Sequence, residues 1–118
     1  MSPERLPKQK LSPLWAGIVQ EVTRRIVATV QPQRILLFGS AVKSQMKTDS
    51  DLDFLVIVKG PAHRRKLAQD IYRNLHGVGV PVDIVVVTEE DVILYGDKIG
   101  TILRPALAEG QVTYDAQR

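Results

Sequence analysis

Two aspartates one residue apart, Asp51 and Asp53, enter the apolar run Phe54–Val58, and ten residues earlier Gly39-Ser40 leaves another such run, Ile35–Phe38. Side chains alternate across a strand, so residues two apart point the same way, with Cα atoms about 6–7 Å apart. Carboxylates that close repel unless one takes a proton or a cation lies between them. Oxygen donors, completed by phosphate oxygens and water, favour Mg2+ or Mn2+ over zinc. The chain has no cysteine to suggest a softer metal, and His63 and His76 are not spaced as a ligand pair. Taken alone, Asp-x-Asp is usually a polar turn entering a strand. Its neighbours change that reading.

Gly39 follows Arg34–Phe38, a short branched apolar run that reads as a buried strand. Glycine there lets the backbone approach a phosphate or take positive φ, and the Ser40 hydroxyl adds a donor. A helical turn starting at Ser40 would add free N–H groups for an anion. The chain holds neither a GxxxxGK[ST] loop nor a GxGxxG fingerprint. A third acid, Asp83, interrupts Val80–Val87, a run expected of a central strand covered on both faces. A charge there is costly unless it sits at the exposed strand entrance after Pro81, is paired, or binds metal. Beside Asp51 and Asp53 it would complete a two-metal carboxylate site and act as base toward an attacking hydroxyl.

The elements that must position these residues alternate between helix and strand. Leu14–Val30 reads as a helix whose Trp15, Ile18, Val19, Val22, Ile26 and Val30 share a core face, and Pro32 ends it. Arg34–Phe38, Leu52–Val58 and Val82–Val87 read as strands, with a short helical turn within Ser40–Lys47 and a loop over Thr48–Ser50. Ala62–Leu75 reads as a second helix stopped by His76-Gly77. Thr88 with Asp91 imitates a capping box for a helix through Tyr95. Ile99–Ala108 reads as a last helical segment that Pro105 breaks, kinks or restarts; Gly110 stops it, and Gln111–Tyr114 suits an edge strand. The expected fold is α/β: a single domain with a small mixed sheet packed by helices.

Composition sets the outer bounds. A chain of 118 residues, 44% hydrophobic and 25% charged, suits one core and no separate substrate domain. Absent cysteines exclude disulfides and thiol catalysis. No apolar stretch reaches a membrane span, and Met1–Ser12 lacks the apolar core of a signal peptide, so a cytoplasmic location is the default expectation. Residues 1–12 read as a flexible N-terminal arm before a domain spanning 13–118. The net charge of +3 would favour an anionic partner, yet aromatics are only 5% and no basic–aromatic interleaving offers base stacking. Direct nucleic-acid binding is therefore not expected. Arg64-Arg65-Lys66 reads as a solvated helix face, with a basic rim that draws triphosphate as the rival reading.

Gly-Ser-x10-Asp-x-Asp followed by an isolated strand aspartate resembles the DNA polymerase beta-like nucleotidyltransferase superfamily. The small size and the ending Ile99-Gly-Thr-Ile-Leu-Arg-Pro-Ala-Leu-Ala-Glu-Gly110 resemble its minimal nucleotidyltransferase (MNT) group, over roughly Leu14 to Asp115. The resemblance implies that Gly39 and Ser40 hold the β- and γ-phosphates of a nucleotide. It implies also that Asp51, Asp53 and Asp83 coordinate two Mg2+ ions, Mn2+ being an alternative. Where the family often has small-Ala-Arg-Gly, this chain has Ala41-Val42-Lys43-Ser44, so Lys43 keeps a charge without a bidentate fork. The implied reaction moves an NMP, AMP from ATP first, to a hydroxyl acceptor. MNT proteins commonly accompany a HEPN-type ribonuclease toxin, so the implied role is an antitoxin that adenylylates a tyrosine of that toxin. A non-catalytic binding antitoxin and an aminoglycoside-type nucleotidyltransferase are the alternatives.

Overall fold

The computed structural model describes residues 13–39, 51–98 and 101–117. Helix α1 (Pro13–Val30) buries Val19, Val22 and Ile26 along one stripe, with Trp15, Ile18 and Val30 partly covered beside them. It ends because Gln31 turns to a left-handed φ of 51° and the buried Pro32 cannot continue the ladder. Strands β1 (Arg34–Phe38) and β2 (Leu52–Val58) follow, then α2 (Arg64–Arg73), β3 (Val82–Thr88), α3 (Glu89–Tyr95), α4 (Leu103–Glu109) and β4 (Gln111–Asp115).

The strands form one mixed sheet in the order β3-β2-β1-β4. β1 runs antiparallel to both β2 and β4, while β2 and β3 are parallel neighbours. Alternation sorts their side chains into two layers. Leu52, Phe54, Val56 and Val58 pack with Val22 and Ile26 of α1 and Ile71 of α2. Leu36, Leu55, Ile57 and Val87 pack on the other face with Leu103 and Ala106 of α4. Fully burying such a side chain contributes about 1.5–3 kcal/mol, so the sheet is fixed from both sides. This is the single α/β domain that the sequence leads one to expect.

Three details differ from expectation. β3 lies at an edge of the sheet order rather than in its centre. Its apolar content reflects cover on both faces, which burial requires whatever the strand's place in the order. α2 begins at Arg64 rather than Ala62, because His63 stands outside as its cap and its Nδ1 accepts from the Lys66 N–H at 3.2 Å. α4 begins at Leu103, which puts Pro105 in its first turn, where a missing N–H forfeits no helical bond. Pro105 thus restarts a helix instead of kinking one.

The Thr88/Asp91 capping box is present as expected: the Asp91 N–H donates to Thr88 Oγ1 at 3.1 Å and the Thr88 N–H to Asp91 Oδ2 at 2.9 Å. α3 is a single pair of turns with no fully buried residue, so its start depends on that cap. Thr88→Ala is expected to lower stability by about 1 kcal/mol, read from urea unfolding midpoints.

Candidate active site

The strand register brings two of the three carboxylates side by side. Asp53 pairs with Asp83 across the parallel β2–β3 ladder and lies opposite Phe38 across the antiparallel β1–β2 ladder. Neighbouring strands are about 4.8 Å apart, and paired residues share a face. Asp53 has the parity of Leu55 and Ile57, and Asp83 that of Val85 and Val87, so both emerge on the α3–α4 side of the sheet. The Leu52 N–H donates to the Pro81 carbonyl at 3.0 Å, which fixes the two strand entrances together. A further clamp comes from α2: the Ile84 N–H donates to Tyr72 Oη at 2.8 Å, one residue beyond Asp83. Nothing in the spacing of the sequence pointed to Tyr72. Tyr72→Phe is expected to cost about 1 kcal/mol by leaving that N–H to water, and amide exchange at Ile84 should report the loss.

Electrostatics mark Asp53 as the strained member of the group. Its pKa is pushed up to about 6, first by burial, then by the negative charges of Asp83 and Asp51 and by a hydrogen bond shared with Asp83. Asp51 precedes the first residue of β2 and is exposed, as is Asp83, while Asp53 is half-buried. Asp51 therefore influences Asp53 from just outside the strand rather than from within it. Among the described residues, no group of three or more His, Cys, Asp or Glu is arranged to hold a metal ion. The close element is the Asp53/Asp83 pair.

Gly39 completes the arrangement. It has a φ of +82°, and a Cβ placed there would overlap Asp53 Oδ2 and sit 3.3 Å from its Cγ. The β1 turn thus lies directly against the carboxylate, at a backbone conformation that glycine tolerates best. Ser40 and Lys43, expected beside it, lie outside the described residues.

The basic cluster at the start of α2 behaves as a helix surface. Arg64 reaches Asp91 at 3.2 Å, and Lys66 reaches Asp70 at 3.4 Å. On α1, Glu21 lies at 2.7 Å from both Arg24 and Arg25, and those guanidinium groups hold its carboxyl down at about 2. Arg25 also donates to the His76 carbonyl at 2.6 Å, tying α1 to the end of α2. His76 thus contributes its backbone there.

With this geometry in hand, the comparisons with known proteins are specific about class. The family model described as nucleotidyltransferase domain matches residues 19–106, and the chain belongs to that family. No curated protein matches it in sequence. Solved structures share its fold at low identity. A candidate nucleotidyltransferase from Sulfolobus solfataricus has a TM-score of 0.61 at 15% identity, over 95% of this chain and 96% of that one. A toxin–antitoxin structure solved with AMP-PNP gives 0.57 at 20%, over 83% and 74%. Spectinomycin adenyltransferase from Enterococcus faecialis, solved with ATP and spectinomycin, gives 0.55 at 19%, over 86% of this chain and 55% of that enzyme.

Members of this family generally use a nucleoside triphosphate and divalent metal. The residues present fit such an ion: Asp53 and Asp83 offer only oxygen donors, and Asp83 raises the cost of the Asp53 negative charge. A hard cation would remove that cost. No described helix is long and apolar enough to cross a membrane.

Proposed function

We propose that this chain transfers AMP from ATP to a hydroxyl of a partner protein, with Asp51, Asp53 and Asp83 as its acidic machinery. The observation that carries the proposal is the registered Asp53/Asp83 pair, abutted by Gly39, on a nucleotidyltransferase fold. Asp53 and Asp83 would hold Mg2+, with Asp51 contributing from the strand entrance and Mn2+ as a substitute. When bound, the metal supplies Lewis-acid stabilisation of phosphate charge.

The chain's own residues do the rest. Gly39 leaves room for backbone to approach the β- and γ-phosphates, and Ser40 and Lys43 are assigned to the same end of the nucleotide. Asp83, exposed at the strand entrance, takes the proton of the acceptor hydroxyl. The acceptor oxygen forms a bond to the α-phosphorus as the bond to the bridging oxygen of pyrophosphate breaks, and pyrophosphate leaves with the electron pair. Rigid strands that share a register supply the positioning, which is most of what such a transfer needs from protein.

A toxin partner of the HEPN ribonuclease type, modified at a tyrosine and thereby neutralised, is the acceptor we assign; the fold shared with a toxin–antitoxin structure holding AMP-PNP supports it. The rival acceptor is a small hydroxyl compound, as in the spectinomycin enzyme. Incubation with α-labelled ATP, Mg2+ and the product of any adjacent co-transcribed gene tests the reading. Label on that protein, absent with Asp53→Asn, is the expected outcome. Neutralisation that survives Asp51→Asn/Asp53→Asn would show that contact alone suffices. Absence of both label and pyrophosphate with all four NTPs would end the enzymatic reading.

A further inference from the structure

Ile93, Leu94, Tyr95 and Ile102, four of the large apolar side chains that the core leaves exposed among the described residues, lie on or next to the helices that cover the sheet face carrying the carboxylates; Leu14, Tyr72 and Val112 are exposed elsewhere. α3 contains Val92-Ile93-Leu94-Tyr95, yet only Val92 packs against the core layer beneath it. Ile93 is 81% exposed and Leu94 54%, and Tyr95 and Ile102 are exposed as well. Ile93 also borders an open groove of about 540 Å³ shared with Val92, Ile57, Arg34, Glu89 and Asp115. A helix this short, with no buried residue, gains little from its own domain by displaying three large apolar groups in a row.

The α3 segment itself is acidic, although Arg34 lines the groove, Arg64 pairs with Asp91 and the exposed Lys98 follows Asp97. The chain carries a net +3, but residues 89–97 contain Glu89, Glu90, Asp91 and Asp97 and neither Lys nor Arg. Asp91 is engaged by the capping box and by Arg64 at 3.2 Å, whereas Glu90 and Asp97 are exposed at the two ends of the apolar run. Apolar centre and acidic margin together describe the complement of one kind of partner.

We infer that the α3 surface around Ile93, Leu94 and Tyr95 is the docking face for the acceptor protein, which meets it with apolar side chains flanked by Lys or Arg. This rests on the protein-acceptor reading above. Placement explains the choice of face: α3 and α4 cover the same side of the sheet from which Asp53 and Asp83 emerge. α3 leaves the end of β3 opposite Asp83, so a partner seated there shares the sheet face of the carboxylates and must extend along it for its hydroxyl to reach them. The acidic margin repels the phosphates of nucleic acid and of anionic lipid, which disfavours those occupants.

The test uses the full chain, with the product of any adjacent co-transcribed gene as probe. Ile93→Ser/Leu94→Ser is compared with the parent for affinity toward the probe by calorimetry and for transfer of label from α-labelled ATP. The expected result is at least about a tenfold weaker affinity and a correspondingly higher KM for the acceptor. Affinity for a non-hydrolysable ATP analogue with Mg2+ should stay unchanged, which also shows that the fold is intact. Glu90→Lys/Asp97→Lys should weaken binding too, and the parent's affinity should fall as salt rises. Unchanged affinity and KM in both variants would overturn the docking face while leaving transfer intact. Binding that the serine variant loses, with no label transferred by the parent, would keep the docking face and reject the enzymatic reading. Failure of the parent to bind the probe would overturn the docking proposal outright.

Discussion

Asp53→Asn is expected to lower nucleotidyl transfer by at least about a hundredfold and, at the same time, to raise the melting temperature of the metal-free protein. The two effects have one cause. Burial and the charges of Asp83 and Asp51 push the Asp53 pKa up from 3.8 to about 6, so near neutral pH the folded chain holds an ionised group that its surroundings disfavour. The unfolded chain has no such penalty. Between these two values the folded state binds a proton that the unfolded state does not, so metal-free stability should rise as pH falls from 7 through 6 toward 4. Asparagine removes the charge and should flatten that dependence. Mg2+ acts in the opposite sense, because it favours the ionised pair. Its stabilising effect should be larger at pH 7.5 than at pH 5, and small in the variant. Differential scanning fluorimetry across pH, with and without Mg2+, measures all of this. A destabilised Asp53→Asn protein, or one that keeps its activity, would contradict the site as described.

Gly39→Ala is expected to cost about 2–4 kcal/mol, combining the left-handed backbone penalty with overpacking. The φ of +82° makes any side chain unfavourable there, and the new Cβ would meet the Asp53 carboxylate itself. That carboxylate cannot simply swing aside, since Asp83 lies in the neighbouring register position. The substitution should therefore damage transfer as well as stability. Gly77→Ala provides the control: its φ is +79°, but nothing lies within 4 Å of its added Cβ. Comparing the two in urea melts and in the labelling assay separates backbone strain from intrusion into the site. Equal losses in both measurements would mean that the Gly39 contact with Asp53 has no bearing on function.

Much of the site was legible because its parts are local. β1 and β2 begin and end where their apolar runs do, and the capping box at Thr88 is a contact between residues three apart. The edge position of β3 was hidden, since hydrophobic content reports whether faces are covered and carries no account of which strand pairs on either side. Tyr72 was hidden for a related reason: its hydroxyl meets Ile84 only after α2 folds back over the sheet. His63 read as part of the helix Ala62–Leu75 and not as its cap, because a histidine cap depends on the local turn that aims its Nδ1 at the Lys66 N–H. The expectation of a mixed sheet held because short strands and intervening helices admit few other arrangements.

The sequence by itself determined which groups are available: the glycine at the end of β1, the acids at the start of β2 and β3, and the apolar periods that commit each segment to helix or strand. Those are properties of a residue and its near neighbours. Tertiary structure alone decided that Asp53 and Asp83, thirty positions apart, share one register row, and that Gly39 lies against the first of them. It also separated Asp51, which the sequence joins to Asp53, by ending the strand between them. The physical reason is that pairing and register are set by burying two apolar faces at once, and the energy of that burial is shared among all the segments that form them.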